Sequence, residues 1–337
     1  IFFRASTMSC LARKSADQKR EQQVLKELNK LGGPHVVGAL LAEYNLIAGT
    51  DLLSTSCLSV EDGAAHPSTG AKRALVCGLN YRGGRYPLHG CIVDATNISH
   101  WLRAQGFTVT VLTDDTPTRP TRSNMLAAMR ALVQGAREGD ALFFAYSGHG
   151  ASITANAEDE ADGKTETLVP LDAVHARDFI QDNEVWGTLV APLPAGVALH
   201  CVLDCCHSGT GMDLPFEYKG EGAACWKEAH ARNASHADVV AFSGCEDDQT
   251  SADLGAKGGA LTNAFLEGVQ RPGATFKSVY DHIHAWMNKG RLTQEPVMSS
   301  TNTFDVDLPF SVSNVWSKAS KAQEPPAAHS FSSCVIQ

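Results

Sequence analysis

Apolar runs alternate with amphipathic segments through the middle of the chain. Short apolar runs predict buried strands, and longer segments with apolar residues at helical spacing predict helices. Strands that alternate with helices favour an α/β fold with a mostly parallel central sheet and helices on both faces, in three α/β/α layers. The strands are predicted at 73–79, 108–113, 141–146, 199–204 and 238–243, and the helices at 92–105, 122–137, 260–270 and 276–289.

The flanking regions have a different pattern. Residues 16–31 predict a charged amphipathic helix, and the Gly-, Ala-, Ser- and Pro-rich stretch 60–72 predicts a linker. From Ser317 onward, two adjacent prolines and scattered Ala and Ser predict a disordered tail. The chain therefore divides into an N-terminal helical region with a linker (1–72), a central domain (73–316) and a flexible C-terminal tail (317–337).

Polar residues with catalytic chemistry follow two of the predicted strands. One strand leads into Ser147-Gly148-His149-Gly150, and another ends at Asp204 and leads into Cys205-Cys206-His207-Ser208-Gly209. Strand ends of parallel sheets are where α/β proteins place their sites, and the glycines beside His149 leave its imidazole uncovered. Because an imidazole can take the proton of an attacking thiol, the sequence predicts His149 and Cys206 as a catalytic pair. The amides of Gly148 and Cys206 are the predicted oxyanion donors.

These two motifs resemble those of the metacaspases, the caspase-like peptidases of plants, fungi and protists. Further matching segments extend the resemblance from about residue 74 to 310, and the chain looks most similar to the single-chain trypanosomatid type I. The resemblance implies a caspase-like fold and a cysteine endopeptidase. In the family the nucleophile directly precedes His-Ser-Gly, which favours Cys206 over Cys205. Cys205 is then a packed neighbour or a redox partner.

A substrate pocket with two acids is predicted beside the catalytic pair. Asp204 lies two residues before Cys206 on one strand, so both side chains point to the same side. The resemblance implies an acidic pocket that accepts Arg or Lys and excludes Asp or Glu, with matching positions at Cys91, Asp94, Ser147 and Asp204. Two structural alternatives remain open. Asp94 could be a first-turn helix carboxylate, and Asp204 could orient backbone amides.

The resemblance also implies calcium binding, at positions that are altered here. The family pattern Asp-Gly-x-Asp-Glu reads Asp-Gly-Lys-Thr-Glu over 162–166, and a later Asp-Asp pair reads Asp-Asn. Calcium binds six to eight oxygens, and a lower carboxylate count weakens its binding. A calcium site and a merely solvated acidic surface loop over 151–167 both remain open, and no organic cofactor is implied. The candidate metal ligands are Thr165, Glu166, Asp182 and Asn183.

Composition narrows the class of protein and its compartment. The net charge of −9 argues against nucleic acid as a partner, because no basic stripe is available for phosphates. Ten cysteines without regular spacing favour a reduced, cytoplasmic setting, and no apolar run is long enough for a transmembrane helix. The expected partners are protein or peptide substrates with Arg or Lys at the cleavage site, and the resemblance implies a monomer.

The ending Cys334-Val335-Ile336-Gln337 matches a prenylation motif, so a lipid-anchored membrane fraction and a chance match are both open.

Self-cleavage is predicted at a basic residue in a flexible segment. The candidates are Lys72 or Arg73 in the linker and Lys257 among the glycines of 255–259. A catalytically weak or silent scaffold of the same fold is the alternative function, since the calcium positions are altered. A third interpretation, a phosphate loop at 78–84, lacks the Gly-Lys-Ser/Thr ending that such a loop needs.

Overall fold

The computed structural model describes residues 66–154, 164–205, 212–220, 226–229, 233, 235–244, 258–290 and 295–315. Several predictions concern residues outside these ranges: the helix at 16–31, Cys206, Lys257 and the tail with Cys334. Among the described residues, none of the helices combines the length and the apolar character needed to cross a bilayer.

A sheet of eight strands forms the centre of the described fold, in the order β10-β9-β12-β11-β8-β4-β2-β3. The five strands from β11 to β3 are parallel, and β12, β9 and β10 continue the sheet in antiparallel pairs. A separate antiparallel sheet joins β5, β6 and β7. In chain order the strands are β1 (His66–Pro67), β2 (Lys72–Gly78), β3 (Thr108–Thr113), β4 (Ala141–Ser147), β5 (Gly150–Thr154), β6 (Lys164–Leu168), β7 (Ile180–Gln181), β8 (Ala198–Asp204), β9 (Phe216–Tyr218), β10 (Trp226–Glu228), β11 (Asp238–Ser243), β12 (Val297–Ser300) and β13 (Asn314–Val315).

Helices cover both faces of the large sheet. Because successive side chains of a strand point to opposite faces, Phe144 of β4 packs in one apolar core and Phe143 in the other. The first core contains residues of α2 and α3, and the second contains residues of α1, α4 and α5. The helices are α1 (Cys91–Ala104), α2 (Arg122–Val133), α3 (Asp182–Leu189), α4 (Ala260–Val269) and α5 (Phe276–Lys289).

The predicted three-layer arrangement is confirmed. The five predicted strands are the five parallel strands, and the four helices predicted in the central domain are α1, α2, α4 and α5. Helix α2 ends four residues earlier than predicted, at Val133, because Gln134 has a non-helical ψ of 124° and Gly135 has a φ of +65°. The short helix α3 and the antiparallel strands were not predicted.

Two described segments contain more regular structure than predicted. Strand β1 pairs with β13, and Lys72 already belongs to β2, so the described part of the predicted linker includes strand residues. The predicted surface loop 151–167 contains β5 and β6 in its described part. Residues 165–167 of β6 are buried, because this strand pairs with both β5 and β7.

Candidate active site

The candidate site lies where β4 and β8 end side by side. The two strands are parallel neighbours, and Ser147 faces Asp204 in their register. His149 follows Ser147 by two residues, and the described chain after β8 reaches Cys205. The assignment of Cys206 as the nucleophile stays a prediction. The strand ends thus bring the chain of both predicted catalytic motifs to one edge of the sheet.

The imidazole of His149 is held in one tautomer. Its Nε2 lies 2.7 Å from the carbonyl oxygen of Tyr86. A carbonyl can only accept, so Nε2 carries the donated proton, and Nδ1 is the acceptor of the neutral ring. The ring of Tyr81 packs against the imidazole, with ring centroids 4.6 Å apart. In this arrangement Nδ1 is the nitrogen that can take a proton from a thiol.

The amide of Gly148, a predicted oxyanion donor, is engaged in the backbone. Its N–H donates to the carbonyl oxygen of Asp204 at 3.3 Å, at the last facing pair of β4 and β8, Ser147 and Asp204. This distance is beyond the usual range for an N–H···O bond. The oxyanion role of Gly148 stays a prediction, in which an oxyanion would replace the Asp204 carbonyl as the acceptor.

The carboxylate of Asp94 is buried between α1 and the start of α4. It accepts the O–H of Ser147 at 2.6 Å and the N–H of Gly259 at 2.8 and 2.9 Å to its two oxygens. Two of the predicted pocket residues, Asp94 and Ser147, are therefore in direct contact. Gly259 is the residue before α4, so Asp94 lies at the N-terminus of that helix, where the helix dipole favours negative charge.

The carboxylate of Asp204 lies at the same helix end. It is 4% exposed and accepts the N–H of Thr262, the third residue of α4, at 2.8 Å. A Cβ at Gly259 would collide with this carboxylate, so the absence of a side chain there permits the close approach. The orienting role that was left open for Asp204 is therefore present. Its role in a substrate pocket stays a prediction.

Cys91, the remaining predicted pocket residue, is the first residue of α1. Its side chain is buried, and a Cβ at Gly78 would collide with its carbonyl oxygen. Cys91 precedes Asp94 by three residues, so the two side chains share one face of the helix. Helix α1 thus brings two of the four predicted pocket positions to one place.

Three buried carboxylates form a second group, at Glu166, Asp182 and Asp213. One oxygen from each lies within 4.8 Å of the others, and all three residues are at most 4% exposed. The N–H of Glu166 donates to Oδ2 of Asp182 at 2.8 Å, which joins β6 to α3. Buried carboxylates repel one another, so a hard divalent cation would offset the large unfavourable free energy of holding them close together. This donor set fits calcium, whose ligands are oxygen atoms.

Two other predicted metal ligands, Thr165 and Asn183, are the sequence neighbours of Glu166 and Asp182, and their role stays a prediction. Thr165 precedes Glu166 in β6, so its side chain points to the opposite face of the strand. Asn183 is exposed, and its N–H donates to Oδ1 of Asp182 at 2.6 Å. Asp213 was not predicted, since it is a lone acid between Met212 and Leu214. Its only local signal is a position seven residues after Cys206, and its φ of +47° suits Asp better than most residues.

Comparisons with known proteins decide the family. A family model described as the metacaspase, peptidase C14 domain matches residues 72–215. Metacaspase-1 of Mycosarcoma maydis is 38% identical, over 72% of this chain and 73% of its own length. Metacaspase-1 of Arabidopsis thaliana is 36% identical, over 72% of this chain and 78% of its own length. The chain belongs to the metacaspases.

Solved structures share the fold of this metacaspase. A protein of Geobacter sulfurreducens superposes with a TM-score of 0.54 at 24% identity, over 74% of this chain and all of its own. Caspase-1 of Spodoptera frugiperda superposes with a TM-score of 0.50 at 13% identity, over 73% and 93% of the two chains. These structures establish the caspase-like fold. Membership of the metacaspases makes the protein a cysteine-type endopeptidase.

Proposed function

We propose that this metacaspase cleaves peptide bonds after Arg or Lys, with Cys206 as the nucleophile and His149 as the base. The observation that carries the proposal is that two buried carboxylates, Asp94 and Asp204, both lie against Gly259. This place is at the edge of the sheet from which the chain continues into both catalytic motifs. A guanidinium or ammonium group in such a pocket gains charge-assisted hydrogen bonds. A carboxylate side chain there would add a third buried negative charge.

The proposed reaction divides hydrolysis into two steps. The Cys206 thiol gives its proton to Nδ1 of His149 as its sulfur attacks the scissile carbonyl carbon, and the imidazolium then protonates the departing amine. In the second step His149 takes a proton from water, the water oxygen attacks the thioester carbon, and the Cys206 sulfur leaves and regains the proton from the imidazolium. The bond from Nε2 to the Tyr86 carbonyl keeps the ring oriented through both steps. Hydrolysis of a fluorogenic Arg peptide, with a matched Asp peptide as comparison, tests this proposal, and a silent scaffold would cleave neither.

We infer that calcium binds at Glu166, Asp182 and Asp213 and stimulates the enzyme. When bound, calcium would offset two of the three negative charges and hold β6 against α3. Glu166 lies on β6, which pairs with β5 directly after His149, so the proposed metal site and the base share one small sheet. The fit rests on the three mutually close oxygens rather than on the altered positions 165 and 183.

Asp213→Asn is expected to abolish the rise in melting temperature that millimolar calcium gives the native enzyme, because binding only to the folded state stabilises it. Without calcium, the variant is expected to melt no lower than the native protein, since one repelling charge is gone and Asn tolerates the positive φ. Differential scanning calorimetry with and without calcium measures both effects, alongside the calcium concentration that gives half-maximal activity.

Asp281→Asn is the matched control for this test. Asp281 is an exposed acid that pairs with Lys277 on α5. Its variant should keep the native response to calcium. A full calcium-induced shift in Asp213→Asn would contradict the proposed site, as would a native enzyme whose melting temperature and activity ignore calcium.

We also propose that the enzyme cleaves itself after Lys257. Gly258 and Gly259, which follow Lys257 in sequence, lie against the Asp94 and Asp204 carboxylates, so this part of the chain passes the proposed pocket. The other candidates are disfavoured. Lys72 and Arg73 were predicted in a flexible linker, but both belong to β2, which pairs with β3 and β4 on its two sides.

After incubation with calcium, N-terminal sequencing is expected to find a fragment that begins at Gly258. Lys257→Ala should prevent its formation, and Lys72→Ala should not. A strand must leave its sheet to enter an active site, which explains the expected resistance of β2. A chain that stays uncut, or a fragment that begins at Arg73 or Ala74, would contradict the assignment.

A further inference from the structure

The hydroxyl groups of two tyrosines meet behind His149. The Oη atoms of Tyr81 and Tyr146 are 3.0 Å apart. Tyr81 lies in the loop after β2, and Tyr146 is the second-last residue of β4. Both side chains are buried in the core. Two hydroxyls from different parts of the chain therefore converge on the main chain of the proposed base.

Each hydroxyl bridges His149 and Val169. Tyr81 accepts the N–H of His149 at 2.9 Å and donates to the carbonyl of Val169 at 2.7 Å. Tyr146 donates to the carbonyl of His149 at 2.7 Å and accepts the N–H of Val169 at 3.2 Å. One proton and two lone pairs on each hydroxyl suffice for these four bonds. Burial raises the pKa of both tyrosines, so both stay protonated and able to donate.

The bridge replaces part of the ladder between β5 and β6. Gly150 faces Leu168 in their register, so His149 and Val169 are the next facing pair. A bonded pair in an antiparallel ladder exchanges two direct bonds. The bond from the Val169 N–H to the His149 carbonyl is present at 3.1 Å, whereas the reverse connection passes through the Tyr81 hydroxyl. The inserted Tyr81 hydroxyl therefore sets how far the main chain of His149 lies from β6.

Two unusual backbone features accommodate the tyrosine pair. Tyr81 has a φ of +52°, in the left-handed region that residues with a Cβ avoid. At Gly148, a Cβ would lie 2.7 Å from the Tyr146 hydroxyl and 2.9 Å from the Tyr81 hydroxyl, closer than real Cβ atoms come. Strain of this kind persists where the surrounding structure enforces it and is concentrated at functional sites. It therefore supports a role for the pair beyond filling the core.

We propose that Tyr81 and Tyr146 are positioning residues for His149. Their hydroxyls fix the main chain of His149, and the Tyr81 ring packs on its imidazole, so that Nδ1 is held for proton transfer. The tyrosines neither give nor take a proton in the reaction. The inference rests on the proposed function only in taking His149 and Cys206 as the catalytic pair.

Tyr81→Phe in the full-length enzyme is the test. It removes the bridging oxygen and keeps the ring, so the expected result is a fall in kcat of about tenfold or more with KM within about twofold, since a misplaced base loses part of its contribution. Alkylation of Cys206 by iodoacetamide against pH is the second measurement. In the variant, the alkylation rate is expected to rise at more alkaline pH than in the native enzyme, because a thiolate paired with a well-placed imidazolium forms at lower pH.

Tyr280→Phe on α5 is the matched control and should leave kcat and the alkylation profile native. If Tyr81→Phe does not fold, Tyr146→Phe removes the second hydroxyl and keeps the Tyr81 backbone. A native kcat and a native alkylation profile in a folded variant would overturn the proposal, as would a lower melting temperature as its only effect. The alkylation profile needs no substrate. It therefore still decides on the tyrosines if the native enzyme cleaves no Arg peptide.

Discussion

Replacing Cys206 with alanine is expected to lower kcat for Arg and Lys peptides by about 10³-fold or more, because the variant lacks the sulfur that forms the thioester. Replacing Cys205 with alanine is expected to leave a substantial fraction of activity. Cys205 is 1% exposed and packs in the same apolar core as Tyr146, which is the environment of a structural thiol. Rates with a fluorogenic Arg peptide, together with thermal unfolding of each variant, measure the difference.

Thiol labelling gives this prediction an independent readout. Burial raises the pKa of Cys77 to about 12 and also raises that of Cys201, so neither should react with iodoacetamide at neutral pH. Mass spectrometry of briefly labelled native enzyme should find the modification at Cys206, and Cys206→Ala should lose it. Equal loss of activity in both alanine variants, with both folded, would contradict the choice of nucleophile.

The sequence pattern was sufficient to predict the parallel strands at the centre of the sheet, because those strands are buried on both faces. Strand β4, for example, is apolar from Ala141 to Tyr146, as expected of a parallel strand covered by helices. The antiparallel strands lack such a signal. Strand β12 reads Val-Met-Ser-Ser and β10 reads Trp-Lys-Glu, and each exists through pairing with its neighbour. Helix α3 has only eight residues, too few for a clear helical period.

The residues of the candidate site also fall into a group that the sequence predicts and a group that it does not. Local motifs and the resemblance identify His149, Asp94 and Asp204, because their neighbours in sequence carry the pattern. The metal group and the tyrosine pair depend on tertiary contacts between distant segments. Asp213 lies near Glu166 only in the folded structure, which places the chain after β8 close to β6. Tyr81 contacts His149 through a left-handed backbone turn that no motif encodes. Sequence patterns therefore predict the reacting groups better than the residues that support them.

Peptides with Arg or Lys before the scissile bond are expected to be cleaved at least about 100-fold faster than matched Asp peptides, as an unpaired charge in a buried acidic pocket is strongly unfavourable. Asp94→Asn and Asp204→Asn should each lower kcat/KM for the Arg peptide about 10- to 100-fold, since each removes a charge-assisted hydrogen bond worth about 1.5–3 kcal/mol. The measurement is kcat/KM for Arg, Lys and Asp peptides with each variant.

Asparagine is the appropriate replacement because both acids also support α4. Its side-chain oxygen can still accept the N–H of Gly259 at position 94 or that of Thr262 at position 204, so the helix end keeps its partners while the pocket loses its charge. The loss should therefore fall on kcat/KM for basic peptides, with little change in melting temperature. The double variant should lose more than either single one, because two separate charges are removed. If it is folded and cleaves the Arg peptide at the native rate, these two acids do not form the pocket.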